Sequence, residues 1–434
     1  MTFQIRNARR RASTATDRQE RIDWWSQERL RAAKIMVVGA GALGNEVAKN
    51  LALLGVGYIL IVDFDHIEIS NLSRTALFRQ SDLGQRKAPV AAQRAQELCV
   101  EPAAVVEALD GDVVWEAGLG IYRRMDLVLG CLDNLEARLA VNRACLLAGK
   151  PFIDGGIRGL AGSVYVFAPP FECCFNCTTT KRERAAASGR YDSCFQIMRR
   201  HYSAGRMATV QVTSALIAAL QVEQAVKCLH GRLSTRGVRM QYDGGGLQPY
   251  FEVTPILRRQ GCECEEIRPL SQVSMVAGAA ATSTLRACLS ALEKSGREEP
   301  VIKFPGSFVS HLFCGNCNQE TELMQPLFRL PHERVQCRNC KIIGDRASLQ
   351  LMMVGDSWDV MSPEGADYRD AMLNLTLHDL GFPRLPVLQV QDRHGRIFDF
   401  ELSQDEETIL PGLSRGRSRM PIADSPRSES REVC

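Results

Sequence analysis

The residues best placed to do chemistry lie between positions 34 and 87. An apolar run over 34–38 breaks into Gly39-Ala40-Gly41-Ala42-Leu43-Gly44. A helical pattern and a second apolar run over 58–62 follow, ending at Asp63-Phe64-Asp65. Strand, glycine turn, helix, strand, acid is the order that builds a nucleotide pocket. In it Gly39 permits the tight turn, Gly41 lets phosphate approach the backbone, and Gly44 lets helix and strand pack closely. The helix start offers free N–H groups and a partial positive charge to an anion. Asp63 lies 19 residues past Gly44, close to the ~20 expected of a carboxylate that bonds ribose hydroxyls. A nicotinamide dehydrogenase opens in the same way. Arg74 and Lys87, however, put fixed cations beside the turn. Such cations suit a triphosphate, whose charge grows during displacement, better than a flat nicotinamide.

Cysteine is the other chemistry-bearing residue, with 16 in the chain and several in close pairs. Close pairs point to metal ligation in a reducing cytoplasm rather than to a disulfide framework. Cys314-Gly-Asn-Cys317 and Cys337-Arg-Asn-Cys340 are separated by 19 residues, the pattern of a zinc ribbon. Gly315 and Gly344 suit the tight turns of such knuckles. A module this small buries little surface, so zinc supplies much of its folding free energy.

These groups need elements to hold them. The apolar periodicity gives an α/β class: a Rossmann-like, mostly parallel sheet, followed by a small zinc-ribbon α+β domain. A helix is expected over 87–99 and strands over 105–109 and 126–131. Asp133 follows the last of these, where ligands of open α/β sheets gather, and is placed to meet Mg²⁺ and phosphate oxygens. Capping the helix that runs through Arg138 is its alternative role, and both could hold together. Strands over 151–154 and 162–167 come next, the second leaving the parallel sheet. A helix over 208–229 and a strand over 238–243 precede a helix-like connector over 269–297. The expected divisions are an N-terminal arm and helix (1–33), a nucleotide-binding domain (34–270), a linker (271–300), a zinc-ribbon domain (301–410) and a disordered tail (411–434). The N-terminal helix starts at Asp17, a possible cap with Glu20 three residues on. His394-Gly395, between two apolar runs, reads as a hairpin turn.

Gly39-x-Gly-x-x-Gly44, Asp63-Phe-Asp65, Ser70-Asn-Leu-Ser-Arg74, Lys87 and Cys131-Leu-Asp133-Asn134 with Arg138 closely resemble the ThiF/MoeB/ubiquitin-activating superfamily over residues 17–265. The resemblance implies an adenylation domain that uses ATP and Mg²⁺ to activate the C-terminal glycine of a small β-grasp (ubiquitin-like) protein. It implies that Gly39, Gly41 and Gly44 hold phosphates and that Asp63, with Asp65 beside it, meets the ribose. Asn71, Arg74 and Lys87 then orient and neutralise the triphosphate, and Asp133 binds Mg²⁺. Arg18-Gln19 matches a pair that reaches across a homodimer to the partner's ATP. The family's first Cys-x-x-Cys falls on Cys174 and Cys177, and its second on Cys262-Glu-Cys264. Together these imply a four-thiolate structural zinc site. One spacer residue is missing from the second pair, and Cys173 is an alternative ligand. Thioester-forming members carry a cysteine in a crossover loop, here 178–207, and Cys194 matches in position. Its neighbours Arg190, Arg199, Arg200 and His201 favour the attacking thiolate.

Three functions fit these parts. The first is an activating enzyme for a ubiquitin-like protein, which adenylates it, takes it as a thioester on Cys194 and passes it to a conjugating-type acceptor. The second is a sulfur-carrier adenylyltransferase without a catalytic thioester. The third is a catalytically silent zinc-containing scaffold. Cys194, the zinc-ribbon extension and the missing rhodanese signature favour the first; Arg74, Lys87 and Asp133 oppose the third. A net charge of +3, from 53 basic and 50 acidic residues, offers no support for nucleic-acid binding. No apolar run reaches the ~20 residues that span a bilayer. Residues 1–16 lack a signal-peptide core, so a cytoplasmic location is expected.

Overall fold

The computed structural model describes residues 14–183, 208–233, 236–270, 272–330, 336–341, 349–354, 366–402 and 410–414. The 1–13 arm, most of the crossover loop including Cys194, and the tail beyond 414 lie outside these residues.

A sheet buried on both faces needs strands that are apolar on both faces, and the chain supplies them in sequence. β1 (Lys34–Val38), β2 (Tyr58–Asp63), β3 (Val105–Asp110), β4 (Leu127–Gly130) and β5 (Phe152–Arg158) are parallel. β6 (Ala161–Phe167), β7 (Gly237–Asp243) and β8 (Tyr250–Pro255) continue antiparallel, in the order β3-β2-β1-β4-β5-β6-β7-β8. One face is covered by α1 (Gln27–Ala32), α2 (Ala42–Leu54), α3 (Lys87–Glu97) and the helix Gln211–Leu229, over Ile35, Val37, Ile59 and Leu129. The other carries α4 (Val113–Glu116), α5 (Leu119–Arg124) and α6 (Leu135–Ala148), over Met36, Leu60, Val128 and Phe152. Each such buried side chain contributes roughly 1.5–3 kcal/mol. Among the described residues, Gln211–Leu229 is long and apolar enough by composition to cross a membrane. It packs instead on α2 and the sheet, with Ile217, Ala218, Val222 and Ala225 in the core.

Three expectations differ, one being Pro411–Ser414, expected within a disordered tail and found as a short helix. In place of a helix from Asp17 there is one 3₁₀ turn, Gln19–Arg21. The Asp17 carboxylate accepts a bond back from Thr14 Oγ1 at 2.9 Å and does not cap a following turn. The 271–300 stretch, expected as a linker, holds a strand and a helix of the second core. β9 (Val273–Val276) is the first strand of that domain, followed by β10 (Val301–Ile302), β11 (Phe308–Cys314), β12 (Gln319–Pro326), β13 (Leu349–Val354), β14 (Val387–Gln391) and β15 (Ile397–Leu402). They form a sheet ordered β10-β14-β15-β9 and a second ordered β12-β11-β13. The helix Leu285–Lys294 is capped by Thr284 and buries Leu285, Cys288 and Leu292 with Leu388 and Phe400. The β14–β15 hairpin turns at Gly395, whose φ is +77°.

The second domain is fastened to α4 and α5. Buried Glu401 is gripped by Arg123 and by Arg124, the latter at 2.9 Å. Gly118 and Gly120 donate their N–H groups to the carbonyls of Arg384 and Leu385 at 2.9 and 3.0 Å. Trp115 stacks on Phe328 with ring centroids 4.3 Å apart. Leu410 returns to the first core, and Gly412 N donates to Glu107 Oε1 on β3 at 2.7 Å. Residues 410–412 therefore lie against β3. The opposite edge, β8, exposes Tyr250, Phe251 and Val253.

The eight expected ligand cysteines gather in two tetrads, in each of which all sulfurs lie within 4.8 Å of one another. Cys174 Sγ stands 4.0 Å from Cys177 and 3.7 Å from Cys262, and Cys177 is 3.7 Å from Cys264. The Cys314–Cys340 and Cys317–Cys337 separations are both 3.6 Å. Disulfide sulfurs would stand at ~2.05 Å. Zinc–sulfur bonds of about 2.3 Å in a tetrahedron put the sulfurs about 3.8 Å apart, and both tetrads fit. Cys173 is outside its tetrad: its Sγ fills the space beside Gly237, where a Cβ would approach it to 2.3 Å. The short Cys-x-Cys spacing is absorbed by a 3₁₀ turn, Glu263–Glu265. That turn is held by Arg143 and Asn176 on Glu263 at 2.8 and 3.3 Å.

Zinc measured on the intact chain should amount to two ions, one per tetrad. Cys337→Ser should remove one and melt the second domain separately, because such a site supplies on the order of 10 kcal/mol. A wild-type chain holding a single ion would count against the Cys174/Cys262 tetrad.

Candidate nucleotide site

The site begins with a steric demand. Gly39 has φ +98°, and a Cβ on it would stand 2.5 Å from the carbonyl oxygen of Cys131. A Cβ on Gly44 would fall 1.8 Å from the carbonyl oxygen of Gly39, so the helix presses directly on the turn. Gly41 caps α2, and a Cβ there would meet nothing within 4 Å. The mouth of the helix is open on that side. The first N–H groups of α2 have no partners within the helix and point toward that mouth, where they suit an anion.

Side chains then hold the turn against its neighbours. Asp63, at the carboxyl end of β2, accepts from Ala40 N through Oδ2 at 2.6 Å and from Asp65 N through Oδ1 at 2.8 Å. Burial pushes its carboxyl above the usual range, while Lys87 and the two amides pull it down. Lys87 opens α3, nearly buried, with Nζ 2.7 Å from Asp65 Oδ2. The Asp65 carboxylate thus aims the ammonium, which keeps further donors for a second anion.

Asn71 is buried in the 3₁₀ turn Ile69–Asn71, and its Oδ1 accepts from Glu68 N at 2.9 Å. Its carbonyl accepts from Arg74 N and Thr75 Oγ1, both at 3.0 Å. Arg74, so ordered, is half-buried and has no ion-pair partner among the described residues. Asp133 is exposed and likewise has no partner among the described residues. It follows β4 by way of Cys131, the residue against which Gly39 and Gly44 pack. The cap of α6 is Asn134, which accepts from Ala137 N at 2.8 Å, so Asp133 does not have the capping role.

One residue that sequence reasoning missed ties these pieces together. Asn45, fully buried, donates Nδ2 to the carbonyls of Ala40 and Gly41 at 2.7 and 3.0 Å. Its Oδ1 accepts from Leu77 N at 3.0 Å, so the Arg74–Leu77 stretch is tied to the glycine turn. The available signal was an amide directly after Gly44, on a helix otherwise lined there by Val47, Ala48 and Leu51.

Arg18 lies elsewhere. Gln19 beside it donates to the carbonyl of Leu54 at 3.1 Å, at the far end of α2. That is roughly 20 Å along the helix axis from the glycine turn of the same chain, at 1.5 Å per residue. Cys194 lies outside the described residues.

Comparison with known proteins agrees with the geometry. The ThiF family model matches residues 14–265. A sulfur carrier protein adenylyltransferase of Thermus thermophilus is 37% identical over 210 residues, covering 47% of this chain and 72% of that protein. The sulfur carrier protein ThiS adenylyltransferase of Escherichia coli is 29% identical over 237 residues, covering 54% of this chain and 87% of that protein. SUMO-activating enzyme subunit 2 of Dictyostelium discoideum is 40% identical over 151 residues, 35% of this chain, which spans only 22% of that relative's length. With the glycine turn, the ordered Asn71–Arg74 segment and the family match all falling within one domain, the chain belongs to the ThiF family.

Proposed function

We propose that this chain uses ATP to adenylate the C-terminal carboxylate of a small carrier protein. The observation that carries the reading is an Arg74 and an Asp133 without partners among the described residues, on segments packed against a glycine turn with an open mouth. A carboxylate is a poor acyl donor, and joining it to AMP creates a good leaving group. The glycine turn and the first N–H groups of α2 would hold phosphates, and Asp63 would face the ribose. Lys87 and Arg74 would neutralise the charge that builds on the departing pyrophosphate, with Asn71 ordering Arg74. Asp133 would hold Mg²⁺, which supplies further positive charge to the phosphate oxygens. Asp63, Asp65 and Asn45 set these groups before any ligand arrives, which is where positioning gains its rate.

A sulfur-carrier substrate is now favoured over a ubiquitin-like conjugation pathway, the reverse of the preference drawn from Cys194 and the zinc ribbon. Two sulfur-carrier adenylyltransferases are matched over 72% and 87% of their lengths, against 22% of the SUMO-activating subunit. A thioester on Cys194, followed by transfer to a conjugating-type acceptor, is the second reading. It rests on the position of that cysteine among Arg190, Arg199 and Arg200. A homodimer in which Arg18 reaches the partner's nucleotide belongs to the same proposal, as do a β-grasp fold for the substrate and a cytoplasmic location.

ATP–pyrophosphate exchange with candidate carrier proteins tests the reading, and its absence with every carrier, together with no ATP binding, would end it. Asp133→Ala should cut exchange about 100-fold or more with an unchanged melting temperature. Undiminished exchange would remove Asp133 from the site. Asn45→Ala should lower stability by about 1–3 kcal/mol, through stranded carbonyls, and raise KM for ATP; an unchanged KM would limit Asn45 to folding. Cys194→Ala should leave exchange intact, and a DTT-sensitive carrier adduct that this variant loses would install the thioester reading.

A further inference from the structure

Arg138 has no part in the reaction as derived so far, yet it is the most heavily bonded cation beside the site. It projects from α6, and its Nε and Nη2 donate to the carbonyl of Leu132 at 3.2 and 2.5 Å. Nη2 also donates to the carbonyl of Gly155 at 3.1 Å, and Nη1 to Asp154 Oδ2 at 2.6 Å. The Leu132 carbonyl belongs to the peptide bond that leads into Asp133. The guanidinium therefore bolts the backbone of the Asp133 turn to β5.

Its anchor is unusual. Asp154 is fully buried, and its Oδ1 has no partner. That oxygen sits where a Cβ on Gly130 would approach it to 2.4 Å. Gln221 closes the other side, donating Nε2 to the carbonyls of Gly130 and Ile153 at 2.9 and 2.8 Å. The Phe175 ring covers the guanidinium, 5.8 Å from Cζ. Burial pushes the Asp154 carboxyl up to about 7 against the pull of Arg138. Were Arg138 to swing away, the Asp154 carboxyl would be left buried with neither oxygen paired among the described residues, a cost that favours the fork where it is. Well-packed apolar residues would serve packing alone at least as well as this pair. What the pair holds, beyond packing, is the Asp133 turn through the Leu132 carbonyl.

We propose that Arg138 is a positioning residue for Asp133: anchored on buried Asp154, it holds the Leu132 carbonyl and fixes where the Asp133 carboxylate meets a phosphate-bound cation. The assignment rests on the nucleotide-site reading above. A planar fork is essential to it, because one guanidinium must reach two carbonyls and a carboxylate at once. Lysine keeps the charge and loses the fork.

The test is calorimetric binding of ATP to the intact, zinc-loaded chain, with and without Mg²⁺, alongside melting temperatures. The wild type should bind ATP more tightly with Mg²⁺, and Asp133→Ala should abolish that gain. Arg138→Lys and Asp154→Asn should reduce the gain by about tenfold, as groups that orient a metal ligand do, while metal-free affinity stays as in the wild type. Either variant keeping the full Mg²⁺ gain would overturn the assignment. Equal loss of metal-free and Mg²⁺-dependent affinity would also overturn it, because that marks a merely structural pair. A wild type that binds no ATP would overturn the nucleotide reading itself, and this assignment with it.

Discussion

The whole site depends on an absence of atoms at two positions. Gly39 and Gly44 let the carbonyl of Cys131, the glycine turn and the first turn of α2 come closer than any Cβ would permit. Close approach brings the ends of β1, β2 and β4 under one helix mouth. Those strand ends carry Asp63 and the turn leading to Asp133. Any side chain at either glycine would push the helix from the sheet, and the α2 N–H groups, Asp63 and the Asp133 turn would separate together.

A second layer of organisation works through side chains that bond to backbone. Asp63 holds Ala40 N, Asn45 holds two carbonyls of the turn and one amide of the Arg74 segment, and Arg138 holds the carbonyl before Asp133. Each uses a polar group to fix a loop, and loops otherwise sample many conformations at an entropic cost. Arg74 and Asp133 are left without a partner among the described residues. The cysteine tetrads act in the same sense on a larger scale. The Cys174/Cys262 set ties the chain after β8 to the loop after β6, while the other set closes the β11–β12 hairpin against the Cys337–Cys340 knuckle.

What could be read from sequence follows from locality. β1, β2 and β4 were legible because they are buried on both faces and therefore show as apolar runs. The glycine turn, Asp63 and both Cys-x-x-Cys knuckles of the ribbon were legible because their partners sit a few residues away or at fixed spacing. β9 was not: its four residues, Val-Ser-Met-Val, pair in parallel with β15, more than 120 residues on, and nothing local marks them as a strand. Asn45 was hidden for the same reason, since its acceptor role is for Leu77 N, across the sheet connection. Asp17 misled because the same side chain that caps a helix can bond backward to Thr14. The choice between Cys173 and Cys174 needed coordinates, because adjacent residues differ in direction and not in spacing.

The two borders of the large sheet are finished differently. Along β3 the returning segment at 410–412 lies over the border, with Gly412 bonded to Glu107. Along β8 the border is bare among the described residues and carries Tyr250, Phe251 and Val253 outward. Unsatisfied peptide groups beside apolar side chains are a template for another strand. An added strand would therefore meet apolar side chains along β8, whereas at β3 it would meet the segment held on Glu107.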